Sequence, residues 1–295
     1  MSKKKPAKRK KKAKKKTKQG FSKSAPVESV PSLRSMEGLL AGFSGMVRGK
    51  RTAVDEAQDI IYAAWEAPTR QRAVALARKA LEVSPDCADA YNLLAEETAE
   101  SLEEALDLYR KGVEAGERAL GKKTFKEDVG HFWGLLETRP YMRARAGLAQ
   151  CLWEAGQREE AVEHYWDMLR LNPNDNQGIR YLLMPCLIEL GRDEDAEKLF
   201  KQYKEDGMAV WVYSRALLDF RKHGDSPAAD RSLKEALEEN PLVPHYLLGR
   251  KKIPRVLPDY YGFGDENEAV LYARGNRAAW KATPGALEWL AAKLK

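Results

Sequence analysis

The sequence predicts an all-α fold: a right-handed α-solenoid of tetratricopeptide-like helical hairpins with a C-terminal capping pair. The first observation is a recurring face, in which Ala161, Tyr165 and Met168 are spaced at i, i+4 and i+7 and therefore share one side of a helix. The second observation is Pro173, which cannot continue that helix. The same pattern starts at four other alanines: Ala73, Ala105, Ala196 and Ala229.

The spacing of these alanines identifies the repeat. Successive alanines are separated by 32, 56, 35 and 33 residues. A period of about 34 is typical of tetratricopeptide-type helix pairs, in which the small residue lets two helices approach closely. The long interval predicts an insertion, which we place at residues 116–140. The repeat domain is then residues 36–250, and the capping helices occupy residues 251–295.

Helix boundaries follow from the same pattern and from residues that stop or start a helix. Pro85 and Pro241 end second helices as Pro173 does, and Asp86 is suited to cap the helix that follows it. Pro185 lies inside a predicted helix, where a kink is expected. The predicted helical segments are, in chain order, residues 54–65 and 69–83, 88–98 and 102–120, 140–171, 178–203, 210–239, 264–280 and 284–294.

Residues 1–35 are predicted to be a disordered, lysine-rich tail. Its twelve basic residues between positions 3 and 18 are uninterrupted by acids, so like charges repel and little apolar surface can be buried. The whole chain has a net charge of +7, but without these twelve it would be −5. This asymmetry indicates a polyanionic partner, and a solubilising arm is the alternative. The candidate nucleic-acid-binding residues are Lys3, Lys4, Lys5, Lys8, Arg9, Lys10, Lys11, Lys12, Lys14, Lys15, Lys16 and Lys18.

A short apolar patch follows the tail. Its large side chains are at roughly helical spacing: Leu33, Met36, Leu39, Leu40 and Phe43. This spacing predicts a helix that either docks on the repeat domain or waits for a partner.

The cysteines, the lengths of the apolar runs and the N-terminal segment together predict the cellular location. Its three cysteines are an odd number without close spacing, which is typical of small core residues in a reducing compartment: Cys87, Cys151 and Cys186. No apolar run approaches the roughly 20 residues that a membrane span needs, and the basic tail is not followed by the apolar stretch of a secretory signal. We therefore expect a cytoplasmic protein.

No pattern in the sequence indicates catalysis. The four histidines are scattered without metal-ligand spacing, and the cysteines are not clustered. No phosphate-binding loop and no nucleophile motif occurs. We therefore predict no catalytic, cofactor-binding or metal-binding residues, and no enzyme.

One polar group is unusual for a helical repeat. It combines aromatic and arginine residues of the insertion with polar residues one hairpin later, and a common surface for both sets would form a partner site. Three interpretations of these residues are open. In the structural one, Arg139 or Arg145 pairs with Glu137 or Asp175 and holds the insertion in place. The other two are a binding site for an anionic group and a catalytic site. The candidate partner-binding residues are His131, Trp133, Arg139, Tyr141, Arg143, Arg145, Asn174, Asn176 and Arg180.

Three ordered motifs resemble a known family. They start at Asp86, Asn240 and Gly264, and the last is followed by Trp280 and Gly285. Over roughly residues 84–292 the chain resembles the suppressor-of-tumorigenicity-seven family. The resemblance implies the helical fold and no catalytic residues.

These observations predict a non-enzymatic scaffold that binds a peptide or protein partner through its helical-repeat surface, because each hairpin adds surface and no residue set requires chemistry. The alternative is a nucleic-acid- or ribosome-associated protein, anchored by the basic tail, with the repeats as a docking module.

Overall fold

A computed structural model describes residues 36–38, 40, 51–204, 206–258 and 260–294. Within these ranges the chain is α-helical and contains no strand. The helices are α1 Ala53–Trp65, α2 Arg70–Val83, α3 Ala88–Thr98, α4 Leu102–Glu127, α5 Arg139–Glu154, α6 Arg158–Leu171, α7 Ile179–Glu189, α8 Asp193–Gln202, α9 Ala209–His223, α10 Pro227–Glu239, α11 Val243–Leu247, α12 Glu266–Ala282 and α13 Ala286–Lys293. A single 3-10 turn, Leu136–Thr138, precedes α5.

Consecutive helices pack as hairpins. The pairs α1/α2, α3/α4, α5/α6, α7/α8 and α9/α10 are in contact, and α12/α13 closes the C-terminal end. First helices of neighbouring hairpins also touch, as in α3 with α5 and α7 with α9. The predicted all-α solenoid of helix pairs is therefore confirmed; the short α11, which packs against α12, was not predicted.

Several helices begin at a side chain that caps them. Thr52, Ser101 and Ser226 each accept a hydrogen bond from the backbone N–H three residues later. Asp265 does the same for α12 and receives the N–H of Glu268 at 2.8 Å. These caps satisfy donors that the first helical turn leaves free, and they explain why the helices start where the sequence has Ser, Thr or Asp.

The repeated face forms the interior of the stack. Ala161, Tyr165 and Met168 are all buried, as the spacing predicts. Gly147 shows how close the helices come, because a Cβ atom there would overlap the ring of Tyr109 on α4. Small residues at these positions therefore set the distance between helices, and larger neighbours fill the space beside them.

Helix α4 extends beyond its predicted end at residue 120. It runs to Glu127, with a non-helical backbone at Gly121 (φ 66°). Leu120 and Phe125 pack against the core on either side of that glycine. The chain re-enters the helix because apolar side chains on both sides of Gly121 gain from burial, which the alanine spacing alone does not reveal.

The buried apolar side chains form two groups. One is made by α1, α2 and the start of α3, and the other runs from α4 to α13. All three cysteines are buried and free, as predicted. Burial raises the pKa of the Cys87 and Cys186 thiols to about 12, so both stay protonated.

Candidate functional site

A buried ion pair joins α3 to α5. Asp89, in the first turn of α3, is 0% exposed, and Arg143 of α5 donates to both its oxygens, from Nε to Oδ1 at 2.9 Å and from Nη2 to Oδ2 at 2.5 Å. Gln58 and Asn92 donate to the same carboxylate at 2.9 and 3.0 Å. Burial, the largest single influence, would raise the pKa of Asp89, but the charge of Arg143 together with the hydrogen bonds from Arg143, Asn92 and Gln58 holds that pKa below its ordinary value.

A second carboxylate reaches the same arginine from the N-terminal part of the chain. Glu37, 7% exposed, accepts from Arg139 Nη1 through Oε1 and from Arg143 Nη1 through Oε2, both at 2.9 Å. Arg139 Nε also donates to the carbonyl oxygen of Trp133 at 2.9 Å, which ties this arginine to the insertion. Hydrogen bonds between two charged groups are stronger than neutral ones, so they hold Glu37 against the start of α5.

Two tryptophan rings enclose these guanidinium groups. Arg143 Cζ lies 5.2 Å from the ring centroid of Trp65 and 6.0 Å from that of Trp133. Arg139 Cζ lies 5.4 Å from the Trp133 centroid. Aromatic faces attract cations and shield them from water. We call Trp65, Asp89, Trp133, Arg139 and Arg143 the arginine cage.

The charges of the arginine cage balance only when a second carboxylate is present. Arg139 and Arg143 are positive and Asp89 is negative, so these three groups carry one net positive charge. Glu37 supplies the missing negative charge. Burial alone would lower the pKa of Arg143, but Asp89 and Glu37 raise it, so Arg143 remains a cation.

Arg145 makes its contacts on the opposite side of α5. It follows Arg143 by two positions, or about 200° around a helix. Its Nη1 donates to Tyr141 Oη at 2.8 Å and to the carboxylate of Asp167, and its Nε donates to His164 Nδ1 at 3.0 Å. Burial, and after it the positive charge of Arg145, lower the pKa of His164 to about 4, so the imidazole is a neutral acceptor.

This histidine makes stability depend on pH. An unfolded histidine titrates near 6.5, so between that pH and about 4 the unfolded state binds more protons than the folded state. Stability is therefore lost as the pH falls through this window, by about 1–2 kcal/mol after allowance for partial exposure. We expect His164→Gln to reduce the difference between urea unfolding at pH 7 and pH 5. The exposed His131→Gln serves as control, and an unchanged pH dependence in His164→Gln would contradict this assignment.

Arg180 belongs to a third set of contacts at the turn before α7. Its Nε donates to Asp206 Oδ2 at 2.8 Å and its Nη1 to Asp175 Oδ2 at 2.9 Å. Asp175 also caps α7, accepting the N–H groups of Ile179 and Arg180 at 2.7 and 2.9 Å. An open cavity of about 580 Å³ lies beside this turn and is lined by Asn174, Asn176, Arg180, Tyr181, Leu182 and Tyr261 among others.

The predicted partner-binding residues therefore separate by their contacts. Trp133, Arg139 and Arg143 belong to the arginine cage. Tyr141 and Arg145 bond toward α6, and His131 is exposed in the insertion. The turn residues Asn174 and Asn176 line the cavity with Arg180.

The expected common surface is only partly formed. The turn does lie beside α5, because Gln177 Nε2 donates to the carbonyl oxygen of Met142 at 3.4 Å. The arginines nevertheless bond to different carboxylates. Arg139 pairs with Glu37, and Arg145 pairs with Asp167. The structural interpretation predicted Glu137 or Asp175 as their partner. Binding of a partner by these residues stays a prediction.

Three residues of this site were missed in the sequence. Asp89 is not among the predicted site residues, although an Asp and an Asn three positions apart among Ala and Leu are a signal of a buried polar contact. Trp65 carries no such signal. Glu37 was overlooked as the single acid within the apolar patch.

Of the N-terminal segment before residue 51, the structure describes only residues 36–38 and 40, so the predictions for this segment can be compared with it only in part. The twelve basic tail residues lie outside the described part of the chain, so their role stays a prediction. Of the apolar patch, Met36 and Leu40 are described and exposed. Gly38 lies against α1, since a Cβ atom there would be 3.2 Å from Tyr62 Cβ. Glu37 and Gly38 thus contact the repeat domain.

Among the residues that the structure describes, no group of His, Cys, Asp and Glu side chains is arranged to hold a metal ion. In the same part of the chain, none of the helices has both the length and the apolar character to cross a membrane.

Comparison with known proteins gives a consistent family. A protein similar to this chain is the suppressor of tumorigenicity 7 protein-like of Gallus gallus, 29% identical over 260 residues, which cover 81% of this chain and 47% of that protein. The ST7 homolog of Drosophila pseudoobscura pseudoobscura is 29% identical over 261 residues, covering 80% and 48%. The chain thus spans about half the length of these relatives.

A solved structure with some similarity is YrrB, described as a tetratricopeptide protein with an unusual peptide-binding site. It is 21% identical, covers 66% of this chain and 90% of its own, and has a TM-score of 0.45. The sequence profile of the ST7 protein family matches residues 50–295, most of the chain. The chain therefore belongs to the ST7 protein family, as the resemblance of its motifs predicted.

Proposed function

We propose that this chain is a non-enzymatic helical-repeat scaffold that binds an acidic peptide segment of a protein partner at the arginine cage. The observation that carries the proposal is the clamp on Glu37. Two guanidinium groups within one turn of α5 each donate to one oxygen of a carboxylate that lies 102 positions before Arg139 in the sequence.

The charge of the cage is the reason to expect an acidic ligand. Removal of the Glu37 carboxylate leaves one positive charge in excess among partly shielded groups, which is unfavourable. Any carboxylate that takes the place of Glu37 restores both 2.9 Å hydrogen bonds and the charge balance. A partner with a glutamate or aspartate can therefore compete with Glu37.

The position of the cage favours a peptide over a small acid. Its side chains come from the first helices of three successive hairpins, α1, α3 and α5, together with the insertion. In helical repeats, neighbouring first helices form a continuous surface to which each hairpin adds area. Residues on either side of the bound acid would lie along that surface and add contacts of their own.

A peptide with the sequence of residues 31–45 is the natural probe, because it contains Glu37. We expect a fluorescently labelled copy to bind the full chain carrying Glu37→Gln about tenfold or more tightly than the wild type, since the internal competitor has lost its charge. Binding is read by fluorescence anisotropy. A probe with Gln in place of its glutamate should bind at least tenfold more weakly.

Two further variants locate the binding site. Arg139→Gln, added to Glu37→Gln, should remove most of the affinity for the probe, whereas Arg170→Gln should not, because Arg170 is exposed and pairs with Asp167. Circular dichroism confirms that both variants are folded. Equal binding by the Arg139 and Arg170 variants would show that the cage does not bind the acid.

The basic tail favours a second candidate function, association with nucleic acid or the ribosome. Its twelve basic residues provide cations for counterion release, and no aromatic residue lies among them to read bases. Association of this kind would be independent of sequence. The rest of the chain is acidic and would not contribute by its net charge.

Deletion of residues 1–20 tests this candidate. If about half of the twelve charges meet phosphates, the log–log slope of duplex affinity against salt is roughly −5, or about a 10³-fold loss between ~50 and ~200 mM salt. We expect the deletion to remove nearly all binding to RNA and DNA duplexes in filter-binding assays, with the helical content unchanged. Binding with the same slope after deletion would exclude the tail as the anchor.

A further inference from the structure

The loop between α11 and α12 exposes an unusual amount of apolar surface. Five large side chains within eight positions are exposed: Val256 by 85%, Leu257 by 37%, Tyr260 by 78%, Tyr261 by 46% and Phe263 by 81%. In the rest of the described chain, the large apolar side chains that are exposed are those of Met36, Leu40 and Leu182. A concentration of this kind marks an interaction surface, whereas single exposed apolar residues are ordinary.

The backbone of this loop is held at both ends. The Lys251 N–H donates to the His245 carbonyl oxygen at 2.9 Å, and Lys251 Nζ lies 2.6 Å from Glu266. Asn267 Nδ2 donates to the Tyr260 carbonyl oxygen at 3.0 Å. Ile253 packs against the core. The apolar side chains therefore point outward from a supported backbone, which reduces the entropy lost when they bind.

The same loop carries positive charge. Arg250, Lys252 and Arg255 are exposed, and no acidic side chain in the described part of the chain pairs with them. Four cations lie between α11 and α12, Arg250, Lys251, Lys252 and Arg255, against two acids. Asp265 caps α12, and Asp259 lies outside the described residues. Glu266, the first residue of α12, is engaged by Lys251. The loop thus presents apolar side chains and cations together.

We propose that this loop is a peripheral membrane-binding surface that inserts Val256, Tyr260 and Phe263 into the interface of a bilayer containing anionic lipids. Tyrosine and phenylalanine side chains are suited to the level of the headgroups, and apolar side chains gain by leaving water. The cations are attracted to anionic headgroups. This surface is separate from the arginine cage and does not depend on the function proposed for it.

Single-stranded nucleic acid is the other polyanion to consider. Aromatic side chains and cations also form its binding surfaces, because bases stack on aromatic rings. Val256 and Leu257 have no role in such stacking, although Val256 is the most exposed of the five. The aliphatic side chains therefore favour a lipid surface.

The test is sedimentation of the full chain with phosphatidylcholine vesicles, with or without about 30% phosphatidylserine, at ~0.1 and ~0.5 M salt. The basic tail is also attracted to phosphatidylserine, but the higher salt reduces the screening length to a few ångströms and suppresses that contribution, whereas apolar insertion persists. Three variants are compared with the wild type: V256S/Y260S/F263S, R250Q/K252Q/R255Q and, as matched control at another exposed leucine, L40S.

We expect the wild type to sediment with phosphatidylserine vesicles at both salt concentrations. The apolar triple variant should lose about 100-fold in partitioning at both, since each inserted side chain contributes several-fold. The charge variant should lose about 100-fold at the lower salt, about fivefold per residue. L40S should bind as the wild type, and circular dichroism checks that all variants fold.

Two results would overturn the proposal. One is equal sedimentation of the wild type and the apolar triple variant at the higher salt. The other is unchanged vesicle binding by that variant together with a loss of binding to a labelled oligouridine, which would assign the loop to nucleic acid.

Discussion

Replacing Arg143 with alanine is expected to lower the free energy of unfolding by about 3–5 kcal/mol, because Asp89 would remain as a buried, uncompensated charge. An arginine that serves only to read a partner's anion would be lost without cost to stability, but Arg143 is largely shielded and holds two carboxylates. Urea unfolding of the full chain measures the difference. Arg170→Ala, at an exposed arginine, should change stability by less than about 1 kcal/mol.

A double variant distinguishes the ion pair from general packing at this position. Asp89→Leu combined with Arg143→Met replaces both charges with apolar side chains, which is often neutral or stabilising at buried pairs. We expect it to recover most of the stability that Arg143→Ala loses. An Arg143→Ala variant as stable as the wild type would show that Asp89 and Arg143 are not a buried pair.

Replacing Trp280 with alanine is expected to destabilise the C-terminal hairpin by about 3–5 kcal/mol. Trp280 is fully buried, its ring stacks with that of Trp289 at a centroid distance of 6.4 Å, and its Nε1 donates to Tyr272 Oη at 2.8 Å. The alanine leaves both a cavity and an unmatched hydroxyl.

The control for this residue separates the two losses. Trp280→Phe keeps much of the volume and removes the donor, so its cost should be smaller than that of the alanine. Both are measured by urea unfolding, and the slope with denaturant reports whether unfolding stays cooperative. A loss below about 1 kcal/mol for the alanine would mean that α12 and α13 do not share the core.

The fold could be predicted because its signals are local. The spacing of Ala161, Tyr165 and Met168 lies within one helix, and the repeated period then gives the hairpins. The extension of α4 past Gly121 was missed, because the burial of Leu120 and Phe125 depends on later helices. Periodicity reports which face of a helix is apolar and does not report the element against which it packs.

The arginine cage was predicted only in part, for a related reason. Arg139 and Arg143 stood out by composition, but their partners lie 102 and 54 positions away in the sequence, at Glu37 and Asp89. No pattern along the chain joins residues so far apart. Arg145 likewise stood out, and its contact with Asp167 appears only when α5 and α6 are packed together.

The central claim is that the repeat surface binds a partner's carboxylate at the arginine cage. Its most direct test is arginine side-chain NMR of the full chain carrying Glu37→Gln. With nitrogen-15 arginine, each Nε–H of Arg139, Arg143, Arg145 and Arg180 is observed while the peptide of residues 31–45 is added. The account predicts that the Arg139 and Arg143 signals shift together with binding, whereas those of Arg145 and Arg180 do not, because they bond to Asp167, Asp175 and Asp206. Shifts confined to Arg180, or a bound peptide that leaves Arg139 and Arg143 unchanged, would contradict it.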